Sequence, residues 1–188
     1  MHDGFFVGQS PVTNTYKDKP ADAYNALAGA QDKGFSLLLY SKTGLGDGQQ
    51  ANNPWLQELP DPITKVTWDN YITMNPVEMA DYAKTFDQEN GLDLATLTIG
   101  DNKVTLPVYP LPGQANGTVG IALGYGRGAT GENIGEAAFQ THEYGGNITD
   151  ENGNPKPVGA NAFVFASTQN GTLAYEAAEA KVEKTGER

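Results

Sequence analysis

The apolar positions of this chain fall into short runs set between glycine- and asparagine-rich turns. Phe35–Tyr40 (FSLLLY) is the firmest, an apolar run of strand length that follows Lys33-Gly34 and leads into a glycine-rich loop. Val66 to Met74 predicts a second strand region, interrupted near Asp69-Asn70. Leu97 and Ile99 before Gly100-Asp101-Asn102-Lys103, and Val104, Leu106 and Val108 after it, alternate as the two arms of a hairpin do. Val119 to Leu123 and Ala162 to Phe165 read as further strands. In AEAKVEK (178–184) the alanines and glutamates favour helix, but Ala178, Ala180 and Val182 alternate with charged residues, and the alternation leans to a strand.

Helix signals are fewer. Pro20 followed by ADAYNALAGAQ can open a short helix, because proline is tolerated in a first turn. Asn75-Pro76-Val77-Glu78 is a stronger start: Asn as the cap, Pro at the first helical position, Glu placed to complete a capping box. Ala80, Ala83 and Phe86 follow at helical spacing, and Asn90-Gly91 is the stop. Asn116-Gly117, Asn152-Gly153 and Asn170-Gly171 mark tight turns, since both residue types accept positive φ. Residues 126–158 form a long Gly- and Asn-rich excursion of the kind that carries function or moves. Six or seven strands with one or two short helices and long glycine-rich loops predict a mainly β fold closed into a barrel, because closure removes exposed strand edges. Residues 1–34 read as a lead-in from a preceding region, and 35–188 as the barrel domain.

Composition narrows the function classes. With 12 basic against 23 acidic residues the net charge is −11, which disfavours nucleic acid and anionic membrane surfaces as partners. There is no Cys, so the chain holds no thiolate-bound iron–sulfur cluster and no disulfide. No apolar run is long enough for a spanning helix, and MHDGFFVGQS lacks the basic and apolar regions of a signal peptide. The chain then reads either as a cytosolic protein or as a piece excised from a longer one, and its ending KTGER as the start of a hairpin.

Candidate chemistry is sparse. Thr43-Gly44-Leu45-Gly46-Asp47-Gly48 either cradles an anion on backbone amides or is a plain flexible turn; no Gly-Lys-Ser/Thr follows, so it is not a P-loop. Gly124-Tyr125-Gly126-Arg127-Gly128 sets an Arg among glycines, either to fork onto an anion or as a solvated turn residue. His2 and His142 lie far apart without metal-ligand spacing, and the serines lack a nucleophile setting. Glu58 and Asp61 are expected to cap backbone amides rather than to form an acid–base pair. Asn116, Asn147 and Asn170 head glycosylation sequons and are treated as turns.

Residues 52–70, NNPWLQELPDPITKVTWDN, hold two Trp and three Pro and predict an ordered loop, with Trp55 and Trp68 buried to anchor it. Together with FSLLLYSK, the I-x-x-N-P at Ile72 to Pro76, Leu106-Pro107-Val108, PGQANGTVGIALGYGRG (112–128) and VGANAFVF (158–165), this stretch resembles the C-terminal, dinucleotide-binding domain of the molybdopterin oxidoreductase superfamily. It is most similar to that of the iron–sulfur/molybdopterin-like large subunit of bacterial alternative complex III, over about residues 35–184.

The resemblance implies a double-psi β-barrel. In catalytic relatives this domain closes over the guanine dinucleotide arms of the cofactor, through positions that match Ser41, Lys42, Thr43, Gly44, Asn52, Asn53 and Trp55, with Asn161 near the pterin. It also implies that the site is vestigial, since the alternative complex III subunit keeps the fold without the molybdenum cofactor. The expectation is then a non-catalytic scaffold domain of a respiratory quinol-oxidising complex on the periplasmic side of the bacterial inner membrane. Its partners would be other domains of the same parent chain and other subunits of the complex, with no cofactor bound by the domain alone. The alternatives are a working molybdopterin guanine dinucleotide-binding domain and an unrelated carbohydrate- or protein-binding β module.

Overall fold

The structure, a computed structural model, describes residue 8 and residues 19–28, 34–83, 91–128, 135–169 and 171–187. It divides into two units, residues 1–31 and 32–188. Of the first, the described part is residue 8, Lys19 and helix α1 (Pro20–Ala28), which is opened by its proline and has an ion pair of 3.3 Å from Lys19 to Asp22 of its first turn.

The second unit is built on strands β1 (Phe35–Tyr40), β2 (Ile72–Met74), β3 (Leu94–Ile99), β4 (Asn102–Pro110), β5 (Thr118–Ala122), β6 (Ser167–Gln169), β7 (Thr172–Ala174) and β8 (Glu176–Lys184). Six of them close into a barrel in the order β1-β5-β2-β4-β3-β8, while β6 and β7 pair separately. Within the barrel β1–β5 and β2–β4 are parallel; the other neighbours are antiparallel. Every barrel strand is paired on both sides, which answers the edge problem the sequence poses.

Period-two patterning explains the interior. Leu37 and Leu39 of β1, Leu97 of β3, Val104, Leu106 and Val108 of β4, Val119 and Ile121 of β5, and Ile72 and Met74 of β2 share one core. β8 joins it through Ala180 and Val182. The alternation in β8 does not run unbroken: Glu179 takes φ +61, and the register against β1 shifts there. This bulge moves the inward phase from Ala177 to Ala180 and leaves Ala178 exposed, contrary to the simple reading.

Three other expectations are corrected. The strand region 66–74 shrinks to Ile72–Met74, because Lys65 and Trp68 take φ +62 and +64 and break the extended backbone. Ala162–Phe165 is a 3₁₀ turn: the Asn161 side chain accepts from the Phe163 amide, and Ala162 and Phe165, three apart, face the core. Helix α3 (Pro76–Tyr82) has its Asn75 cap, with Oδ1 accepting from the Val77 amide at 2.9 Å, but no capping box. Glu78 instead accepts from the Gly117 amide at 2.8 and 3.0 Å, tying the helix to the turn before β5. Met79 and Ala83, not Ala80, meet the core; Phe86 and Asn90 lie outside the described residues.

Residues 135–158 of the long excursion are folded upon themselves. Bridges join Phe139 to Pro157, Thr141 to Asn147 and Thr149 to Pro155, and Asp150 Oδ1 accepts from the Asn152 and Asn154 amides around Gly153. His142 and Glu143 are exposed there.

Candidate functional site

One end of the barrel gathers the loop after β1, the segment 51–70 and the chain leaving β5. A second apolar cluster, Leu45, Ala51, Ala122, Tyr125 and Val158, supports them, with Tyr40, Leu56 and Trp68 packed against it. Segment 51–70 holds helix α2 (Pro54–Glu58), capped by Asn53, whose Oδ1 accepts from the Trp55 amide at 3.0 Å. Gln57 is buried and donates through Nε2 to the carbonyls of Ala51 (2.9 Å) and Ala137 (2.7 Å). Asp61 closes the next turn, its Oδ1 accepting from the amides of Ile63 (3.0 Å) and Thr64 (2.9 Å). This is the capping role expected of it, while Glu58 stands exposed.

Lys42 is the centre of this end. Its side chain is buried, and Nζ donates to the Asp69 carbonyl at 3.0 Å. The same ammonium lies 4.4 Å from the centre of the Tyr71 ring and 5.1 Å from that of Tyr125. Burial lowers the Lys42 pKa from 10.5 to about 8, while the carboxylates of Asp61 and Asp69 pull it back up. Burial pushes the Asp61 carboxyl up, but the Thr64 and Ile63 amides, the Thr64 hydroxyl and the Lys42 charge outweigh it, leaving it below its ordinary value. Desolvation raises Tyr71 to about 12, and raises Tyr40 and Tyr125 as well. The Thr64 hydroxyl and the Tyr71 phenol share a hydrogen bond.

A cavity of about 230 Å³ opens beside Lys42, lined among others by Thr43, Gly44, Gln57, Asp61, Trp68 and Tyr125. The second cation, Arg127, donates to the Asn52 side chain and, at 2.6 Å, to the Ala51 carbonyl.

The sequence-predicted residues divide accordingly. Ser41, Lys42, Thr43 and Gly44 follow one another after β1, the last three lining the cavity, and Asn52 accepts from Arg127. Asn53 and Asn161 are exposed and act as caps, of α2 and of the 3₁₀ turn. Asn161 nonetheless borders the same region, because its backbone packs on Gly126, next to Arg127. Trp55 departs from expectation: it is 81% exposed, while Trp68 is half-buried. The reason is local. Capping by Asn53 and the inward anchor of Gln57 orient the short helix, and Trp55, two positions before Gln57, falls on its outer side.

Sequence reasoning missed Gln57, Asn70, Tyr71 and Tyr125. Asn70 is fully buried; Nδ2 donates to the Ala122 (3.0 Å) and Ala160 (2.9 Å) carbonyls, and Oδ1 accepts from the Ala160 amide at 2.9 Å. It thus joins three segments of the loop cluster. The sequence marked Asp69-Asn70 only as an interruption of a strand; nothing there marked Asn70 as the buried one.

Several donors at this end already have partners within the chain. The amides of Gly46 and Gly48 donate to the carbonyls of Lys42 (2.8 Å) and Leu45 (3.0 Å), so the glycine loop turns these donors inward. Both cations are held by backbone carbonyls of the loops themselves, and Asp61 lines the cavity with a charge that repels phosphate. No family model matches this chain, and no curated protein matches it.

Proposed function

We propose that the chain is a non-catalytic scaffold and interaction domain of a respiratory, quinol-oxidising electron-transfer assembly of the molybdopterin oxidoreductase-like kind, working on the periplasmic side of the bacterial inner membrane. The observation that carries the scaffold reading is the engagement of Lys42 and Arg127 by the carbonyls of Asp69 and Ala51. In a domain that grips a dinucleotide, cations at this place would meet phosphates. Here they bind loop to loop and stabilise the end of the barrel. The assignment to an electron-transfer assembly rests on the resemblance carried by residues 52–70 and the segments in order around it.

The double-psi identity of the barrel belongs to the same proposal. Its support is the interleaving of two parallel pairs, β1–β5 and β2–β4, joined by the antiparallel contact of β5 with β2. Parallel neighbours need crossover connections, and here the loop cluster and the β3–β4 hairpin lie within those crossovers. Among the described residues no helix is long and apolar enough to cross a membrane.

Calorimetric titration of GDP into the purified chain tests the reading. No binding is expected up to about millimolar ligand. A low-micromolar dissociation constant, abolished by changing Asn53 or Lys42, would replace the scaffold with a working nucleotide site.

A further inference from the structure

The outside of the barrel carries a trough beside the loop cluster. Because Leu37 and Leu39 point inward, Ser36, Leu38 and Tyr40 stand on the outer face of β1. Leu38 pairs across to Gly120 of β5, and Gly120 to Thr73 of β2. The middle of this row has no side chain: a Cβ on Gly120 would come within 2.6 Å of the Thr73 hydroxyl and 3.3 Å of the Tyr40 ring. Asp61, Ile63 and Leu111 to Gln114 also line it, and it encloses about 680 Å³. Leu38 is 55% and Ile63 75% exposed, so two large apolar side chains face water at one depression.

The polar lining is one-sided. Thr73 and Thr118 hydroxyls donate to the carbonyls of Gly120 (3.2 Å) and Ala115 (2.6 Å). Gln114 Nε2 donates to the carbonyls of Thr73 (3.0 Å) and Thr118 (2.7 Å), which leaves its buried Oε1 without a partner. Among the lining residues the charged ones are Asp61 and Glu176, both carboxylates. Asp61 uses Oδ1 to hold the turn that carries Ile63, and stays ionised. The trough therefore offers apolar surface and negative charge, and its complement is an apolar segment that carries a cation.

We propose that this trough docks a segment of a partner protein that lays apolar side chains over Gly120 and sets a lysine or arginine against Asp61 or Glu176. The inference rests on the scaffold reading and names its contact surface. A protein segment suits the trough better than a lipid surface, because the carboxylates and the net charge of −11 repel anionic headgroups.

The test titrates three labelled synthetic peptides into the full chain by fluorescence anisotropy: leucine alternating with lysine, leucine with glutamate, and serine with lysine. The first alone is expected to bind. Leu38→Lys or Ile63→Ser should weaken it about tenfold, and Glu176→Gln or added salt should weaken it as well. Both apolar positions are exposed, and unchanged circular dichroism and unfolding midpoints would show that the variants fold. Equal binding of the leucine–glutamate peptide, binding that survives Leu38→Lys, or no binding would each overturn the proposal. So would self-association of the chain through Leu38 in sedimentation, or Leu38-dependent partition onto phosphatidylcholine vesicles. Nucleotide titration is independent of these outcomes: a GDP site removes the scaffold reading, whereas peptide failure removes the trough and leaves the scaffold standing.

Discussion

Gly48 and Gly124 meet backbone to backbone. A Cβ on Gly48 would stand 2.8 Å from the Gly124 Cα, and one on Gly124 would stand 2.7 Å from the Gly48 Cα and amide nitrogen. Both take left-handed φ, +111 and +93. The contact pins the loop after β1 to the chain leaving β5, and it gives the two glycine-rich segments a packing role. Gly124→Ala is expected to cost about 2 kcal/mol or more, from backbone overlap added to an unfavourable φ. Gly46→Ala, at φ +58 with open space around it, should cost only about 1 kcal/mol. Urea denaturation of the two variants measures the difference, and equal costs would show that the close approach yields easily.

Trp55 tests how the Pro-rich segment is held. A buried anchor would lose about 3 kcal/mol on truncation to alanine. At 81% exposure, Trp55→Ala should change stability by less than about 0.5 kcal/mol. In a Trp68→Phe background the remaining fluorescence should be red-shifted and readily quenched by iodide. A large drop in the unfolding midpoint on Trp55→Ala would restore the anchoring role.

Much of the barrel was legible because its signals are local. Leu37 and Leu39, or Val104, Leu106 and Val108, show the two-residue period that a half-buried strand requires, and the hairpin turns on Gly100, at φ +57. The elements misread are those where a side chain overrides backbone preference. Asn161 pulls an apolar run into a 3₁₀ turn, the bulge at Glu179 resets the phase of β8, and Gly117 takes the Glu78 that the helix start seemed to claim. The loop cluster was legible as a neighbourhood, through Lys42 and Asn52, but not in its chemistry. Whether Lys42 faces a ligand or the Asp69 carbonyl depends on residues 27 positions apart, and spacing carries no such information.

Asn70 should be the most sensitive polar position of the loop cluster. Replacing it by alanine leaves the Ala122 and Ala160 carbonyls and the Ala160 amide without their partner in a buried setting. The cost is expected at about 3 kcal/mol, since each unsatisfied buried group contributes roughly 1–3 kcal/mol and relaxation recovers part of it. Asn52→Ala, at an exposed position, should cost less than about 1 kcal/mol. Amide hydrogen exchange should show the loss at Ala160 first, and unchanged protection there in Asn70→Ala would contradict the joining role.

Lys42 sets a pH dependence whose sign can be worked out. Its pKa is about 8 in the folded chain and near 10.5 when unfolded, so between these values the unfolded chain binds a proton that the folded chain does not. Stability therefore rises as the pH climbs from about 8 towards 10.5, and below that window the lysine is charged in both states and contributes no slope. The tyrosines act in the opposite sense. Desolvation raises Tyr40, Tyr71 and Tyr125 above the ordinary 10.0, so the unfolded phenols ionise first and stability falls once the pH passes that value. Urea midpoints of the natural chain are expected to rise across pH 8 to 10 and to decline beyond it. Lys42→Met should abolish the rise and keep the decline, because it removes the buried ammonium without touching the phenols. A rise that persists in Lys42→Met would assign the effect to another group and remove the buried ammonium from the centre of the loop cluster.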